Sequence, residues 1–394
     1  MKDVFIYDAI RSARARAKPE GGLHELTPSA LLKHLYHGLE ARNTLDTTQI
    51  SEVILGCVTQ NGEQAANIAK TSTLYAGWPS SVAGLTVHRF CSSSIDAIAL
   101  AGLKVASGQA QAMVAGGVEM MSRVPMLSDN ARVFSDPEFA LQHQMLLMGS
   151  GADLIATRIG ATREACDAVA LQSQQRAARA QREGRFTSIV PISTSRGVVA
   201  TDECVRADIT GAQLARLPPA FAALGTAGAD KVQLAAYPEL GEIQHVHTAG
   251  NSPAMCDAAA LVLLGDAAFG QRSGLTPKAR LVASTTGCAE PLEVVSGCVA
   301  VTEKLLRDNR LSAHQVDLFE IHEAFAATVI KTRETLEIEN DRLNVNGGVI
   351  ALGHPICAEG AMLIGTALDE LERRGQANAL ITMCAAGGMA PAVV

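Results

Sequence analysis

The sequence is poor in aromatic residues and in charge. Phe, Trp and Tyr make up 4% of its 394 residues, with a single Trp, and charged residues make up 19%. The formal net charge is -7 and no stripe of Lys and Arg runs along the chain, so the electrostatic footprint of a nucleic-acid-binding protein is lacking. Because 48% of the residues are hydrophobic and 34 are Gly, a large core of closely packed small side chains is expected. The length allows roughly two to three domains.

Long apolar runs and paired cysteines are also missing. No apolar stretch approaches the roughly 20 residues needed to cross a bilayer, and no signal-like segment precedes the strand-like run at Val4–Tyr7. We therefore expect a cytoplasmic protein without a membrane span. None of the nine cysteines forms a CxxC pair, which disfavours zinc ribbons and thioredoxin-like sites. We predict free thiols, most of them buried, and no metal site.

One short basic cluster follows the first strand-like run. It contains Arg11, Arg14, Arg16 and Lys18. A short cluster of this kind favours a solvated loop. A position near an anionic substrate is the alternative.

Strand-like and helix-like segments alternate over the first 120 residues and again from residue 279 onwards. This alternation predicts an α/β fold with layered mixed or parallel sheets. The middle of the chain differs, with one clear helix over Arg163–Arg182. The two ends also share an order of features: a polar loop, a helix, a Gly-Gln-Ala turn at Gly108 or Gly375, and an apolar strand. This shared order indicates two halves of a duplicated fold.

Cys91 is the first candidate for catalysis. It lies between a predicted strand and a predicted helix, and three serines that follow it can cap the helix start. A thiol at the positive end of a helix dipole is favoured as thiolate, the nucleophilic form. The alternative is a buried structural cysteine, which is common for free thiols.

Three further segments contain polar groups in places suited to chemistry. His354 ends a Gly-rich turn. It could act as a base, or its side chain could merely satisfy the hydrogen bonds of the turn. Cys384 ends an apolar strand before Gly-rich backbone, or is a core cysteine. His322 and Glu323 follow the predicted strand at 316–321, a usual position for site residues, although Glu323 could instead cap a helix.

Taken together, these segments resemble the thiolase family. Six motifs occur in family order along the whole chain: Arg89–Ser93, Gly116–Ser122, Thr248–Asn251 with Asp257, His322–Ala326 in the HEAFA form, Asn344–Pro355, and Cys384–Gly388. The resemblance implies a duplicated thiolase-like fold of two βαβαβ-type halves in α/β/α/β/α layers. It implies domains at 1–121 (with part of 248–270), 122–247 and 271–394, the middle one covering coenzyme A.

The resemblance also implies catalytic roles. Cys91 would take the acyl group from an acyl-CoA, and His354 would activate Cys91. Cys384 would move the α-carbon proton of the second thioester. His354 and His322 would polarise that thioester's oxygen. These roles match the needs of a Claisen reaction: a covalent acyl carrier, a base, and donors to the oxyanions.

Backbone and binding residues are implied in the same way. The N–H groups of Cys91 and Ala386, with Gly387 beside them, would form an oxyanion hole. Coenzyme A would be a substrate, with no permanently bound cofactor, and a homodimer or homotetramer is expected. Residues expected to contact the substrate are Met148, Ser252, Ala324 and Phe325.

The chain departs from the family pattern at several positions near the expected acyl-CoA. The departures are Ser94, Pro218, Pro253, Cys357, Ala386 and an additional segment between Phe221 and Thr248. Where Gly is replaced, the allowed range of φ narrows. The additional segment suggests an unusual or bulky acyl group.

Several functions remain open at this level. The first is a 3-ketoacyl-CoA thiolase of fatty acid β-oxidation, and the second is a biosynthetic acetyl-CoA acetyltransferase, which would use the same residues in reverse. A ketoacyl synthase of the same superfamily is disfavoured because it lacks a second catalytic cysteine such as Cys384. An inactive lipid-binding or complex-forming subunit is the alternative of another class.

Overall fold

The computed structural model describes the whole chain, from Met1 to Val394. Its strands are β1 (Val4–Arg11), β2 (Ala15–Arg16), β3 (Glu52–Gly56), β4 (Ala83–Val87), β5 (Ala112–Glu119), β6 (Ile192–Thr194), β7 (Gly197–Val199), β8 (Cys256–Gly265), β9 (Ala279–Leu281), β10 (Ser284–Cys288), β11 (Leu318–Ile321), β12 (Ala379–Thr382) and β13 (Met389–Val393). Its α-helices are α1 (Pro28–Asn43), α2 (Ile68–Ala76), α3 (Ser93–Ala106), α4 (Arg132–Ser135), α5 (Pro137–Gln142), α6 (Met148–Ile159), α7 (Arg163–Arg182), α8 (Gly211–Ala215), α9 (Ala222–Leu224), α10 (Asp230–Ala236), α11 (Ala267–Ser273), α12 (Gly297–Asp308), α13 (Ala326–Thr335), α14 (Val349–Leu352) and α15 (Glu359–Arg374).

The larger sheet is built from the first part of the chain. Its strand order is β4-β3-β5-β8-β1-β9, and β2 pairs with β8. β3 is parallel to β4 and β5, whereas β8 is antiparallel to β5 and β1. Every residue of β5 and β8 is buried, as expected for central strands covered on both faces.

The second sheet repeats this arrangement. Its order is β11-β12-β13-β10, with β11 parallel to β12 and β13 antiparallel to β12 and β10. A parallel bridge between Phe319 and Leu343 stands where the first sheet has β4. The order and sense of β3-β5-β8-β1 therefore recur in β11-β12-β13-β10. This confirms the α/β fold with duplicated halves.

Five layers result from the way the helices pack. α3 and α15 lie between the two sheets, α1 and α2 cover the outer face of the first sheet, and α12 and α13 lie on the outer side of the second. Small side chains allow the central pair to approach closely. A Cβ at Gly360 would lie 2.4 Å from the side chain of Ile95. The layered α/β/α/β/α packing is thus confirmed.

The segment between β5 and β8 contains α4 to α10 and the β6–β7 hairpin. Its helices α6 and α7 pack on α13, and α7 also packs on α14. Helix α7 has the bounds that the sequence predicted, Arg163–Arg182. Helix α13, which follows the His322–Ala326 motif, begins at Ala326. The domain limits at 121, 247 and 271 stay a prediction.

The interpretation of the basic cluster as a solvated loop was wrong for two of its members. The side chains of Arg11 and Arg14 are 1% and 0% exposed. Arg14 forms a bidentate pair with Glu359, at 2.7 and 2.9 Å, and Arg11 donates to Asp202 at 2.7 and 2.9 Å. The two acids could not be recognised as partners from the sequence because they lie 191 and 345 positions away.

The opposite charges of this buried network stabilise the ionised forms of Arg14 and Asp202. Burial by itself lowers the pKa of Arg14, but Glu359 and Asp202 outweigh it and leave the pKa raised. Burial likewise raises the pKa of Asp202, but Arg11 and Arg14 bring it below its usual value. The network ties the end of β1 to the start of α15. No helix combines the length and apolar character needed to cross a bilayer.

Candidate active site

Cys91 lies in the turn between β4 and α3. Phe90, immediately before it, has a φ of +47°, a rare conformation for a bulky side chain. The turn is held from within, because the Ser93 hydroxyl accepts from the Arg89 N–H at 2.8 Å and donates to the Phe90 carbonyl at 2.6 Å. Ser92, the residue that caps α3, makes no side-chain bond to the helix. The serines therefore shape the turn and do not cap the helix as predicted.

His354 lies in the corresponding turn of the second half, ahead of α15. Its backbone N–H donates to Ala254 at 2.8 Å, and its carbonyl accepts from Cys256 at 3.2 Å. The preceding Gly353 has a φ of +97°, and a Cβ there would lie 2.9 Å from the Cys204 sulfur. Only Gly fits this position, so the Gly-His order of the motif has a steric reason.

Glu323 holds the loop that leads to His354. Its buried carboxylate accepts from the Ser173 hydroxyl at 2.7 Å, the Asn344 amide at 3.1 Å and the Ile350 N–H at 3.2 Å. It therefore positions the loop and, by accepting from Ile350 in the first turn of α14, also caps that helix, the alternative that the sequence left open. Because the carboxylate is fully used in these bonds, it has a positioning role.

Cys384 and His322 meet at the ends of neighbouring strands β12 and β11. The Cys384 sulfur lies 3.4 Å from Nδ1 of His322. The ring of His322 lies against that of His354, with centroids 4.5 Å apart. Nε2 of His322 and both ring nitrogens of His354 are buried without a protein partner. Buried polar atoms without a partner are costly, so they mark a place for a polar ligand.

All four side chains open into one cavity of about 490 Å³. Cys91, His322, His354 and Cys384 come from four different segments of the chain and line this cavity together. The arrangement offers two thiols and two imidazoles around one cavity. Such a set can transfer an acyl group to sulfur and move protons beside it.

Burial sets the protonation states. It raises the pKa of Cys91 to about 12 and lowers that of His322 to about 4. The pKa of His354 lies well below its usual value, through burial and the neighbouring His322. Contact with Cys298, together with burial, raises the pKa of Cys384. The expected thiolate at Cys91 is therefore wrong for the resting state, because burial outweighs the helix dipole.

The other predicted site residues mostly line the same cavity. Ser252 presents a buried hydroxyl without a protein partner. Gly387 does not line the cavity; it has a φ of +73° and lies against Met145. The predicted residues that do line it are Met148, Ser252, Ala324, Phe325 and Ala386.

Comparison with known proteins agrees with this geometry. Residues 4–268 match the family model described as "Thiolase, N-terminal domain", and residues 275–394 match "Thiolase, C-terminal domain". The chain belongs to the thiolase family. It is therefore an acyltransferase, and the resemblance seen in the six motifs is confirmed.

Individual thiolases match over nearly their full length. A 3-ketoacyl-CoA thiolase of Colwellia psychrerythraea is 35% identical, covering 100% of this chain and 99% of the relative. A beta-ketoadipyl-CoA thiolase of Pseudomonas aeruginosa is 36% identical, covering 98% and 97%. The crystal structure of the Bacillus anthracis acetyl-CoA acetyltransferase superposes with a TM-score of 0.86 at 31% identity, covering 100% of this chain and 98% of that one.

Three of the positions where this thiolase departs from the family pattern are accommodated by the structure. Ala386 is not among the residues with positive φ, so its methyl group causes no backbone strain. The Ser94 hydroxyl accepts from the Ala361 N–H at 3.0 Å and joins α3 to α15. The Cys357 sulfur lies 3.0 Å from a carboxylate oxygen of Glu119, between the ends of β3 and β5. Nothing in the structure explains Pro218.

Sequence reasoning missed several residues that shape this thiolase cavity. Phe90 and Phe134 face each other edge-on at 6.0 Å, and Met255 and Ile356 complete the lining near the catalytic groups. Ile356 has a φ of +39°, an outlier for a β-branched residue. Phe90 and Ile356 lie next to predicted catalytic positions in the sequence, which was the available signal. Phe134 had none, because its α4 segment shows no motif.

Proposed function

We propose that the protein is a 3-ketoacyl-CoA thiolase that cleaves a 3-ketoacyl-CoA with free coenzyme A, giving acetyl-CoA and a shortened acyl-CoA, as in fatty acid β-oxidation. The observation that carries the proposal is the shared cavity of Cys91, His322, His354 and Cys384. Relatives at 35% identity include one named for this activity.

In the first half-reaction the Cys91 thiol passes its proton to the neutral imidazole of His354, and its sulfur attacks the 3-keto carbon. The bond between the second and third carbons breaks, leaving an acyl group on Cys91. The Cys384 thiol gives its proton to the second carbon, and acetyl-CoA leaves. His322, at 3.4 Å from Cys384, holds that thiol and faces the thioester oxygen.

In the second half-reaction coenzyme A enters. Its thiol returns a proton to the Cys384 thiolate, and its sulfur attacks the acyl group on Cys91. The imidazolium of His354 gives its proton back to Cys91 as that sulfur leaves. Backbone N–H groups at Cys91 and Ala386 would stabilise the oxyanion, since preorganised donors are most effective in a water-poor site.

The raised pKa of Cys384 and the lowered pKa of His354 fit these roles. A thiol that stays protonated at rest can donate a proton, as Cys384 must in the first half-reaction. His354 is neutral at rest and so has a ring nitrogen free for the Cys91 proton, but its lowered pKa disfavours a free imidazolium. Transfer from Cys91 to His354 is then coupled to attack on the substrate.

Degradation is favoured over biosynthesis by the size of the cavity. A biosynthetic acetyl-CoA acetyltransferase transfers only an acetyl group, whereas this cavity extends along an apolar wall that includes Met126, Val133 and Phe134. Leu224, from the segment after Phe221, also reaches it. An acyl group longer than acetyl would fill this space.

The proposed homodimer or homotetramer also has a structural basis. β4 is an edge strand of the larger sheet, partly exposed and paired on one side only. Leu74 and Tyr75 of the neighbouring helix are 50% and 57% exposed. An unpaired edge beside exposed apolar side chains is a site for pairing with a second copy.

Replacing Cys384 with Ala is expected to separate the two half-reactions. Cleavage of a 3-ketoacyl-CoA should fall by about 10³-fold or more, because no thiol protonates the second carbon. Acyl transfer from a simple acyl-CoA to Cys91 needs no such proton and should persist. Mass spectrometry of the intact protein would detect the acyl adduct.

Cys298→Ala is the matched control for this experiment, since Cys298 is a buried thiol next to Cys384. It should retain most of the cleavage activity. Unchanged cleavage in Cys384→Ala would refute the role of Cys384.

The activity should vary little between pH 8 and pH 5. His322 has a pKa of about 4 and the pKa of His354 is also lowered, so both stay deprotonated below the usual histidine range. We therefore expect kcat/KM for thiolysis to show no inflection near pH 6.5. An acidic limb centred there would mean that the histidines are more solvated than in the structure.

A further inference from the structure

The cavity contains almost no charge. Of its 28 lining residues, 20 are hydrophobic, and neither Lys nor Arg is among them. Its one carboxylate is Asp129. An anionic group placed there would find no Lys or Arg partner. Of the three histidines that line the cavity, His88 lies at an exposed position, and the lowered pKa values of His322 and His354 oppose their protonation.

The arginines closest in sequence to the cavity wall are paired elsewhere. Arg89, next to Phe90, donates to Asp96 at 2.5 Å. Arg123 precedes the wall residues that start at Met126, and it donates to Glu63 at 2.6 and 2.5 Å. Turning either side chain into the cavity would leave its acid unpaired.

Arg132 lies between two wall residues, yet its side chain points away from the cavity. It pairs with Asp136 at 3.1 Å, stacks over the ring of Phe139 at 4.5 Å and is 71% exposed. Its neighbour Val133 supplies the wall instead.

The wall beside the nucleophile is aromatic and aliphatic. The ring of Phe90 packs edge-to-face against those of Phe134 and His88, with ring centroids 6.0 and 4.9 Å away. Met126 and Leu127 continue the same surface. An acyl chain on Cys91 would therefore leave water for an apolar surface, which is favourable for every methylene buried.

We infer that the acyl group is uncharged and apolar, and that a 3-ketoacyl-CoA with a terminal carboxylate is a poor substrate. The inference rests on the proposed function and narrows its substrate class. Some relatives are named for 3-oxoadipyl-CoA or beta-ketoadipyl-CoA, whose acyl group ends in a carboxylate. Here such a group would be desolvated among apolar side chains without a Lys or Arg partner, which opposes binding.

The test is a matched pair of substrates of equal chain length. Purified enzyme would be assayed with free coenzyme A and either 3-oxohexanoyl-CoA, which ends in a methyl group, or 3-oxoadipyl-CoA, which ends in a carboxylate. We expect kcat/KM to favour 3-oxohexanoyl-CoA by about 100-fold or more. Equal rates, or a preference for 3-oxoadipyl-CoA, would overturn the inference and leave the thiolase proposal intact. Failure to cleave either substrate, and acetoacetyl-CoA as well, would overturn both.

A variant tests the cause of the preference. Val133→Arg places a cation on the wall and should move the ratio of the two kcat/KM values towards 3-oxoadipyl-CoA by roughly tenfold or more. Val133→Leu is the apolar control and should leave the ratio unchanged. If both variants remain folded and active with the wild-type ratio, the missing cation does not set the substrate class.

Discussion

Replacing Cys91 with Ala should abolish thiolysis, lowering the rate by about 10⁴-fold or more. The cavity contains a second thiol at Cys384, which lies against His322. Its proposed role is to transfer the proton of the α-carbon, not to accept the acyl group. Without Cys91 the proposed acceptor of the acyl group is lost. The measurement is cleavage of a 3-ketoacyl-CoA panel, with mass spectrometry of the intact protein for a bound acyl group.

Cys288→Ala provides the control, because Cys288 is the one exposed cysteine. It should keep full activity, while Cys91→Ala should bind acyl-CoA without acquiring an adduct. If the wild-type protein cleaves no substrate and Cys91 takes up no acyl group, the enzyme proposal fails. A lipid-binding or complex-forming role would then gain support.

Replacing Arg14 with Met should destabilise the protein by about 3–5 kcal/mol. Arg14 is completely buried and is the partner of Glu359, so its loss leaves a buried carboxylate without a charged partner. Asp202 keeps Arg11 and is affected less. The free energy of unfolding, measured in denaturant, would show the effect as a shift of the midpoint.

Two companion variants identify the cause. Combining Arg14→Met with Glu359→Gln removes the stranded charge and should recover part of the loss. Arg280→Met breaks the exposed pair with Asp3, at 3.1 Å, and should change stability little. A small effect of Arg14→Met alone would show that Glu359 is readily neutralised or hydrated in the core.

The candidate catalytic residues could be singled out from the sequence because they lie in turns with local steric requirements. Cys91 and His354 each occupy a turn before a central helix, and Gly353 is needed where a Cβ would meet the Cys204 sulfur. Such constraints act between neighbours in the chain, so they appear as short motifs. The duplicated fold was visible for the same reason, in the repeated order of loop, helix, Gly-Gln-Ala turn and strand.

Properties that depend on burial could not be predicted in this way. The sequence suggested a solvated loop for Arg14, because Glu359 lies 345 positions away. It suggested a thiolate at Cys91, because a helix dipole can be inferred from neighbours but desolvation cannot. It also gave no sign that Gly387 would lie outside the cavity.

The family, the α/β class and the candidate nucleophile, histidines and second cysteine could all be found in the sequence, since each is encoded in contiguous motifs. The burial of the thiols and histidines, the partners of the buried arginines and the apolar lining beside Cys91 follow only from the folded chain. These depend on which distant segments come together: the wall joins Phe90 to Phe134, and Arg14 meets the start of α15. Desolvation is a property of that assembly, and no local pattern of residues encodes it.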